Sequence, residues 1–179
     1  MASVEEHLRN RLDAVSQGAL GWSEFEVVGV DTLTHLFVPP LTRPQVQART
    51  YSGIDRRDAI FPNRNHAKPN GWGQLLNDVE ARMVLIEFKN FGGPVGKDEV
   101  NQTRNYLTPP LGRFAIVIAR NGYDRAAYTK RNSVYSEDKK VILLLTADDL
   151  KEMLYMKERG EDPVDLIMDN IERFYIEYE

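Results

Sequence analysis

The segment Met83-Val84-Leu85-Ile86-Glu87-Phe88-Lys89-Asn90 is the most informative part of the sequence for the fold. Its first four residues form a continuous apolar run, which is typical of a central strand buried on both faces. Alternate residues of a strand face the same side, about 6 to 7 Å apart, so Glu87 and Lys89 lie together while Phe88 returns to the core. Charges at the end of a buried strand lose hydration that surface charges keep, so the pair predicts a functional site. A structural ion-pair cluster is the alternative.

The rest of the chain predicts an α/β fold with a mixed central sheet, because two helices and a hairpin precede this strand and a crossover helix follows it. Prolines, glycines and an asparagine in 62–82 favour a long irregular connection, and the polar stretch 122–140 has room for a short helix. The predicted helices and strands follow from periodicity, caps and breakers: helices at 4–15, 22–37, 98–107, 147–159 and 163–178, and strands at 46–51, 59–61, 83–86, 114–119 and 141–145.

Length and composition bound the class of protein. The 179 residues, 42% of them hydrophobic, suit one domain, with a catalytic core at 22–146 and a C-terminal helical layer at 147–179. No apolar run has the roughly 18 residues that a membrane span needs, and the N-terminus is charged, so we expect a soluble, cytoplasmic protein with no membrane partner. The chain has no cysteine and only three scattered histidines, so any metal is expected to be bound by oxygen.

The charge is unevenly distributed. Residues 148–179 carry 4 basic and 11 acidic side chains, a net charge of −7, which leaves +3 for residues 1–147 out of a total of −4. A basic cluster close to two aspartates could hold a polyanion, although a solvated charged face is the plainer interpretation. The cluster consists of Arg49, Arg56, Arg57, Arg64 and Lys68, around Asp55 and Asp58.

An acidic residue on the hairpin would complete a site for a hard cation. Asp58 directly precedes the apolar strand at 59–61 and is preferred over Asp55. Two carboxylates and a few waters form the sparse oxygen shell that Mg²⁺ accepts, and they leave positions open for a phosphate oxygen and an attacking water. Lys89 could orient that water. An Asp followed at a distance by Glu-x-Lys is a weak pattern alone, and its place in the predicted sheet strengthens it.

These residues resemble the PD-(D/E)xK nuclease superfamily, in which an acidic residue lies on the second strand and (D/E)-x-K on the third. Asp58 and Glu87-Phe88-Lys89 match those positions, while Arg57 replaces the proline of the nominal motif. The resemblance implies a restriction-endonuclease-like three-layer fold, with mixed sheet, flanking helices and extra C-terminal helices. It also implies a metal held by the two carboxylates and the Phe88 carbonyl, with Lys89 assisting the water.

Two further features are similar to the RecB and Mrr-like branches, whose helix after the third strand carries Q-x-x-x-Y and whose first helix carries a glutamate. Gln102-Thr103-Arg104-Asn105-Tyr106 supplies the first, and residues four apart share a helix face. Glu26 supplies the second, as a further metal ligand, with Glu24 as its competitor. Each helical residue also has a plain interpretation, as a core tyrosine with an exposed glutamine or as a solvated glutamate.

The resemblance implies metal-dependent phosphodiester hydrolysis of DNA by an endonuclease, with Mg²⁺ as cofactor and Mn²⁺ as a substitute. Restriction, phage defence or repair would be its setting, as a homodimer or in a larger complex. Two alternatives stay open: a catalytically inactive module that binds nucleic acid or protein, and a nuclease that cleaves RNA with the same site. Residues 62–82 could touch nucleic acid or be a plain surface loop. The expected contacts to nucleic acid are Arg56, Arg57, Arg64, Lys68, Trp72 and Arg104.

Overall fold

A five-stranded mixed sheet lies at the centre of the part of the chain that this computed structural model describes, residues 2–50 and 56–178. Tyr51, the predicted end of the first strand, and Asp55, the competitor of Asp58, lie outside the described residues. The elements are α1 (Val4–Ala14), α2 (Trp22–Phe37), β1 (Gln45–Arg49), β2 (Arg56–Pro62), α3 (Gly71–Asp78), β3 (Met83–Lys89), α4 (Lys97–Tyr106), β4 (Phe114–Ala119), α5 (Arg125–Asp138), β5 (Val141–Thr146), α6 (Ala147–Glu158) and α7 (Val164–Ile176), with a 3₁₀ turn at Gly18–Leu20.

The strands lie in chain order, from β1 to β5. The pairs β1–β2 and β2–β3 are antiparallel, and the pairs β3–β4 and β4–β5 are parallel. Parallel neighbours need a crossover on one face of the sheet, and α4 and α5 provide those crossovers. The carboxyl ends of β3, β4 and β5 therefore meet at one edge of the sheet.

Alternating side chains of the strands divide the core into two halves. Val84, Ile86 and Phe88 of β3 pack in the half that contains α1, α2, α3, α6 and α7. Leu85 packs in the other half, against α4 and α5. Burial on both faces explains why β3 reads as an unbroken apolar run instead of an alternating one. Helices on both faces give the three layers, which confirms the predicted α/β fold class.

The structure corrects two predictions of irregular chain. Residues 62–82 contain helix α3, which begins where the Asn70 side chain accepts a hydrogen bond from the Gly73 N–H at 2.8 Å. Residues 122–140 contain α5, which has 14 residues instead of one short turn. Asp124 caps it by accepting from the Ala127 N–H at 2.8 Å. Helix α3 buries Trp72, Leu75 and Leu76, but the glycines and prolines in and around it also favour irregular chain. Helix α5 buries Ala127 and Val134, so its helical period is weak.

Two strands are longer than predicted. β2 begins at Arg56, so Asp58 lies inside the strand instead of at its start, and β3 continues through Lys89. Among the described residues, no helix is long and apolar enough to cross a membrane.

Candidate active site

The candidate site lies where β2 and β3 separate. Their ladder pairs Ala59 with Ile86 and does not continue beyond that pair. Further along β3, the Phe88 N–H donates instead to Oδ2 of Asp58, at 2.8 Å. The Asp58 carboxylate thus takes the place of a strand partner, and this bond fixes it beside the end of β3.

Glu87 and Lys89 share one face of β3, as predicted, and a polar chain leads from them to α4. Lys89 Nζ donates to Glu87 Oε2 at 3.3 Å and to Gln102 Oε1 at 3.1 Å. The Gln102 amide then donates to the Tyr106 hydroxyl at 2.8 Å. Because Gln102 and Tyr106 lie one turn apart on α4, they both reach this side of the sheet. The structure therefore brings together the Glu-x-Lys and Gln-x-x-x-Tyr pairs.

Glu26 comes to the site from α2. Its helix is seated on β3, since the rings of Phe25 and Phe88 meet edge to face at 5.9 Å. The Glu26 carboxylate is buried and pairs with Arg56 of β2, with 3.2 Å between Arg56 Nη2 and Glu26 Oε2. Glu24 is exposed on the same helix. Of the two glutamates, Glu26 is the one that faces the cleft.

Burial and mutual repulsion dominate the electrostatics of the carboxyl groups. Burial first, and the negative charge of Asp58 second, raise the pKa of Glu87 to about 7, with Lys89 opposing the shift. The same two causes raise the pKa of Glu26 to about 7 against the attraction of Arg56. Burial also raises the pKa of Asp58, while the hydrogen bond from Phe88 opposes it. Acids held close together in this way favour binding of a cation.

The donor set fits a hard divalent metal ion. Oε1 of Glu87 is buried and has no hydrogen-bond partner among the described residues, so one carboxylate oxygen needs a partner. No group of three or more acidic or histidine side chains is positioned to hold a metal in that part of the chain. Asp58 and Glu87, with backbone and water oxygens, are thus the candidate ligands. Glu26 pairs with Arg56 and lies beside Asp58, and its role as a further metal ligand stays a prediction.

An open cleft of about 480 Å³ leads to these groups. Its charged lining residues are Glu26, Asp58 and Lys89, and most of its other lining residues belong to the 3₁₀ turn, the start of α2 and the loop after β3. A substrate phosphate can therefore approach the carboxylates from solvent. The remaining lining residues are Gly18, Ala19, Trp22, Phe88, Asn90, Phe91 and Gly92.

Two of the expected contacts to nucleic acid are wrong. Trp72 is 2% exposed and packs edge to face on Phe37 at 5.0 Å, so it is a core residue and cannot stack on a base. Arg57 is also buried: its guanidinium donates to the Tyr106 carbonyl at 3.3 Å and lies over the Tyr106 ring at 5.7 Å. It supports the contact between β2 and α4 instead of facing solvent.

The other expected cations lie in different settings. Arg56 borders the site through Glu26. Arg104 is bound by two acids of α5, at 2.7 Å from Asp138 and 2.8 Å from Glu137, so its charge is compensated. Arg64 and Lys68 are exposed, but Lys68 lines a groove whose other residues include several acids of α3 and α7. Among these cations, Arg56 is the one that contacts a residue of the site in the described part of the chain.

Sequence reasoning missed Trp22 and Phe91, two exposed aromatic residues that line the cleft. The signals were present: Trp22 precedes Glu26 by one helical turn, and Phe91 follows Lys89 by two residues. An isolated aromatic residue at such a position is more often part of a core, so the sequence alone does not assign either residue to a site.

No family model matches the chain, and comparison with curated proteins finds a relative from a transposon. The chain is 32% identical over 114 residues to the "Putative transposon gamma-delta 80.3 kDa protein" of Escherichia coli (strain K12). The match covers 64% of this chain and 16% of that protein. The chain therefore corresponds to a small part of this relative.

Comparison with solved structures finds restriction endonucleases. The DNA modification-dependent restriction endonuclease AspBHI matches with a TM-score of 0.53 and 20% identity, over 97% of this chain and 41% of that one. Restriction endonuclease FokI matches with a TM-score of 0.51 and 11% identity, and its structure bound to DNA with 0.50 and 10%. Each of the two FokI matches covers 89% of this chain. The first covers 32% of FokI, and the DNA-bound structure 31%. The chain has the restriction-endonuclease-like fold.

Proposed function

We propose that this chain hydrolyses phosphodiester bonds of DNA with the help of a divalent metal, Mg²⁺ or in its place Mn²⁺. The observation that carries the proposal is the meeting of Asp58, Glu87 and Lys89 at the point where β2 and β3 separate. The fold alone would not be sufficient, since one fold hosts many functions. DNA is favoured because the structural relatives are named as restriction endonucleases, one of them bound to DNA.

Asp58 and Glu87 would hold the metal, with the Phe88 carbonyl as a backbone ligand. Bound there, the metal would polarise the phosphate and lower the pKa of a coordinated water. Lys89 carries a positive charge beside Glu87 and can donate a hydrogen bond to a phosphate oxygen or to the attacking water. Gln102 holds the Lys89 ammonium from α4 and is a positioning residue. In the reaction, the water oxygen bonds to phosphorus, the bond to the leaving sugar oxygen breaks, and that oxygen takes up a proton.

The test is cleavage of supercoiled plasmid and of single-stranded DNA with Mg²⁺ or Mn²⁺. Wild-type protein is compared with Glu87→Gln, Lys89→Ala and a matched control, Glu161→Gln, which changes an exposed acid paired with Arg159. We expect both site variants to lose about 100-fold or more in rate, as for loss of a metal ligand or a charged catalytic group. The control should keep wild-type activity.

Three outcomes would contradict the proposal. Equal rates in all variants would indicate a contaminating nuclease. Metal-dependent cleavage of RNA but not of DNA would change the substrate and keep the site. Bound metal without cleavage of either nucleic acid would indicate a binding module that retains the fold.

A further inference from the structure

The cleft is lined by exposed aromatic side chains that phosphodiester hydrolysis alone does not require. Trp22 is 45% exposed and Phe91 is 42% exposed, and both line the cleft that contains Glu26, Asp58 and Lys89. Ala19 lines the same cleft. Large aromatic side chains left this exposed beside a charged site are typical of a surface that binds a ligand.

Hydrogen bonds hold the backbone that carries both aromatic residues. The Asn90 side chain, just after β3, donates to the carbonyls of Ser16 at 2.9 Å and Gly18 at 3.2 Å, and the Gly18 N–H donates to the Asn90 carbonyl at 2.9 Å. The Phe91 carbonyl accepts from the Asn121 amide at 2.6 Å. The backbone that leads to Trp22 and that of Phe91 are therefore fixed relative to the strand that carries Glu87 and Lys89.

A close backbone approach supports the same conclusion for Trp22. A Cβ placed on the preceding residue, Gly21, would lie 1.8 Å from the Ser16 carbonyl oxygen, so only glycine allows this turn. Arg56 adds a cation beside the indole, with its guanidinium carbon 5.3 Å from the Trp22 ring centroid. Trp22 thus begins α2 in a fixed position, one turn before Glu26.

The two kinds of side chain that line the cleft match the two parts of a nucleotide. The charged groups suit a phosphate, and the exposed aromatic rings suit the flat face of a base, since base and aromatic ring stack without regard to sequence. In a double helix the faces of a base are covered by its neighbours, so only an unstacked base can enter. We propose that Trp22 and Phe91 bind an unpaired base next to the scissile phosphate, so that the preferred substrate is single-stranded or locally unpaired nucleic acid. This inference rests on the proposed nuclease function.

Binding is tested by tryptophan fluorescence, without divalent metal, so that no cleavage occurs. The chain has two tryptophans, and Trp72 is buried, so a base that stacks in the cleft should quench only Trp22. The probes are a single-stranded oligonucleotide, the same sequence as a blunt duplex, and the single strand with abasic sites. We expect saturable quenching by the first probe and much weaker quenching by the other two.

Four variants test whether Trp22 and Phe91 are responsible for the binding of the single strand. Trp22→Ala and Phe91→Ala should each weaken binding of the labelled single strand about 10-fold, the usual loss for one stacked base. Trp22→Phe should bind within about threefold of wild type, because a ring is kept, while the quenching disappears. Tyr155→Ala is the matched control: this residue is 44% exposed, lies on α6 and does not line the cleft. It should bind as wild type does.

The base-binding role and the nuclease function can be refuted independently. If the duplex binds as tightly as the single strand, or if Trp22→Ala binds as Tyr155→Ala does, the base-binding role is overturned even when the protein cleaves DNA. If quenching and its loss in the variants are seen but no metal supports cleavage, the nuclease function fails and the cleft binds single strands only. In an active protein, Trp22→Ala should raise KM for single-stranded DNA about 10-fold with kcat little changed.

Discussion

Gln102 shows how one residue can serve the site without touching substrate. Its amide oxygen accepts from Lys89 and its amide nitrogen donates to the Tyr106 hydroxyl, so it fixes the ammonium between β3 and α4. A lysine side chain has several rotatable bonds, and holding it in one position costs entropy. The hydrogen bond from α4 offsets that cost before substrate arrives.

Gln102→Ala is expected to lower kcat about 10-fold, which corresponds to about 1.4 kcal/mol, the scale of one hydrogen bond to a charged group. DNA affinity should not change, because Lys89 is still present. Gln102→Glu keeps an acceptor for Lys89 and should recover most of the rate. Steady-state kinetics with separate kcat and KM check this, and an increase in KM alone would mean that Gln102 binds DNA instead.

At the scale of elements, the site depends on how closely α2 approaches β3. A Cβ on Gly29 would lie 2.2 Å from Cε1 of Phe88, so the helix rests on that ring through a residue without a side chain. Glu26 lies about one turn before Gly29, and the position of its carboxylate follows from this contact. Phe88 therefore supports α2 with its ring and fixes Asp58 with its N–H.

Gly29→Ala should separate α2 from β3. Alanine favours a helix by about 1 kcal/mol over glycine, but overpacking against a fixed ring costs about 1–3 kcal/mol, so a net loss of stability is expected. Activity should also fall because Glu26 moves. Urea unfolding measures the change, with Gly92→Ala as control, since a Cβ there meets nothing within 4 Å. A more stable Gly29→Ala protein would show that the contact between α2 and β3 is loose.

The elements differ in how well local sequence predicts them. The apolar runs of β3, β4 and β5 and the helices α1, α2, α4, α6 and α7 follow the predicted order, and the antiparallel and parallel pairs are as expected. Helices α3 and α5 were missed or shortened. Their polar caps, Asn70 and Asp124, are equally typical of turns, so local sequence does not separate the two outcomes.

At the scale of the whole molecule, the site lowers stability. Glu87 is 2% exposed, and its pKa rises from 4.5 to about 7 on folding. Between these values the folded protein binds more protons than the unfolded chain, so the free energy of unfolding decreases as pH rises. The loss is absent below about pH 4.5 and complete above about pH 7. Strain of this kind is common at functional sites, where groups are arranged for a ligand.

Glu87→Gln should therefore stabilise the metal-free protein at pH 8 and have little effect at pH 5. The expected difference between the two pH values is on the order of 2 kcal/mol, from a shift of somewhat over two pKa units offset by the lost partner of Lys89. Thermal unfolding with a chelator at both pH values measures it. Glu161→Gln, a substitution at an exposed residue, should show no such difference between the two pH values. A Glu87→Gln protein that is less stable than wild type at pH 8 would contradict the predicted stabilisation.

Metal ligation, the DNA substrate, the division into a core and a C-terminal layer, and the RecB or Mrr-like branch stay predictions. The fold is confirmed, but the chain spans 16% of its transposon relative and 41% of AspBHI, so the activities of those longer proteins do not transfer directly.

The sequence by itself determined the order of the strands and of most helices, the central strand, and the pairing of Glu87 with Lys89. The last follows because the period of a strand places alternate residues on one face. Only the tertiary structure decided that Asp58 bonds to Phe88, that Arg57 and Trp72 are buried, and that Trp22 faces the cleft. These outcomes depend on where β2 and β3 separate and on how α2 packs. Such contacts join residues far apart in the chain, and the local sequence pattern does not specify which distant residues meet.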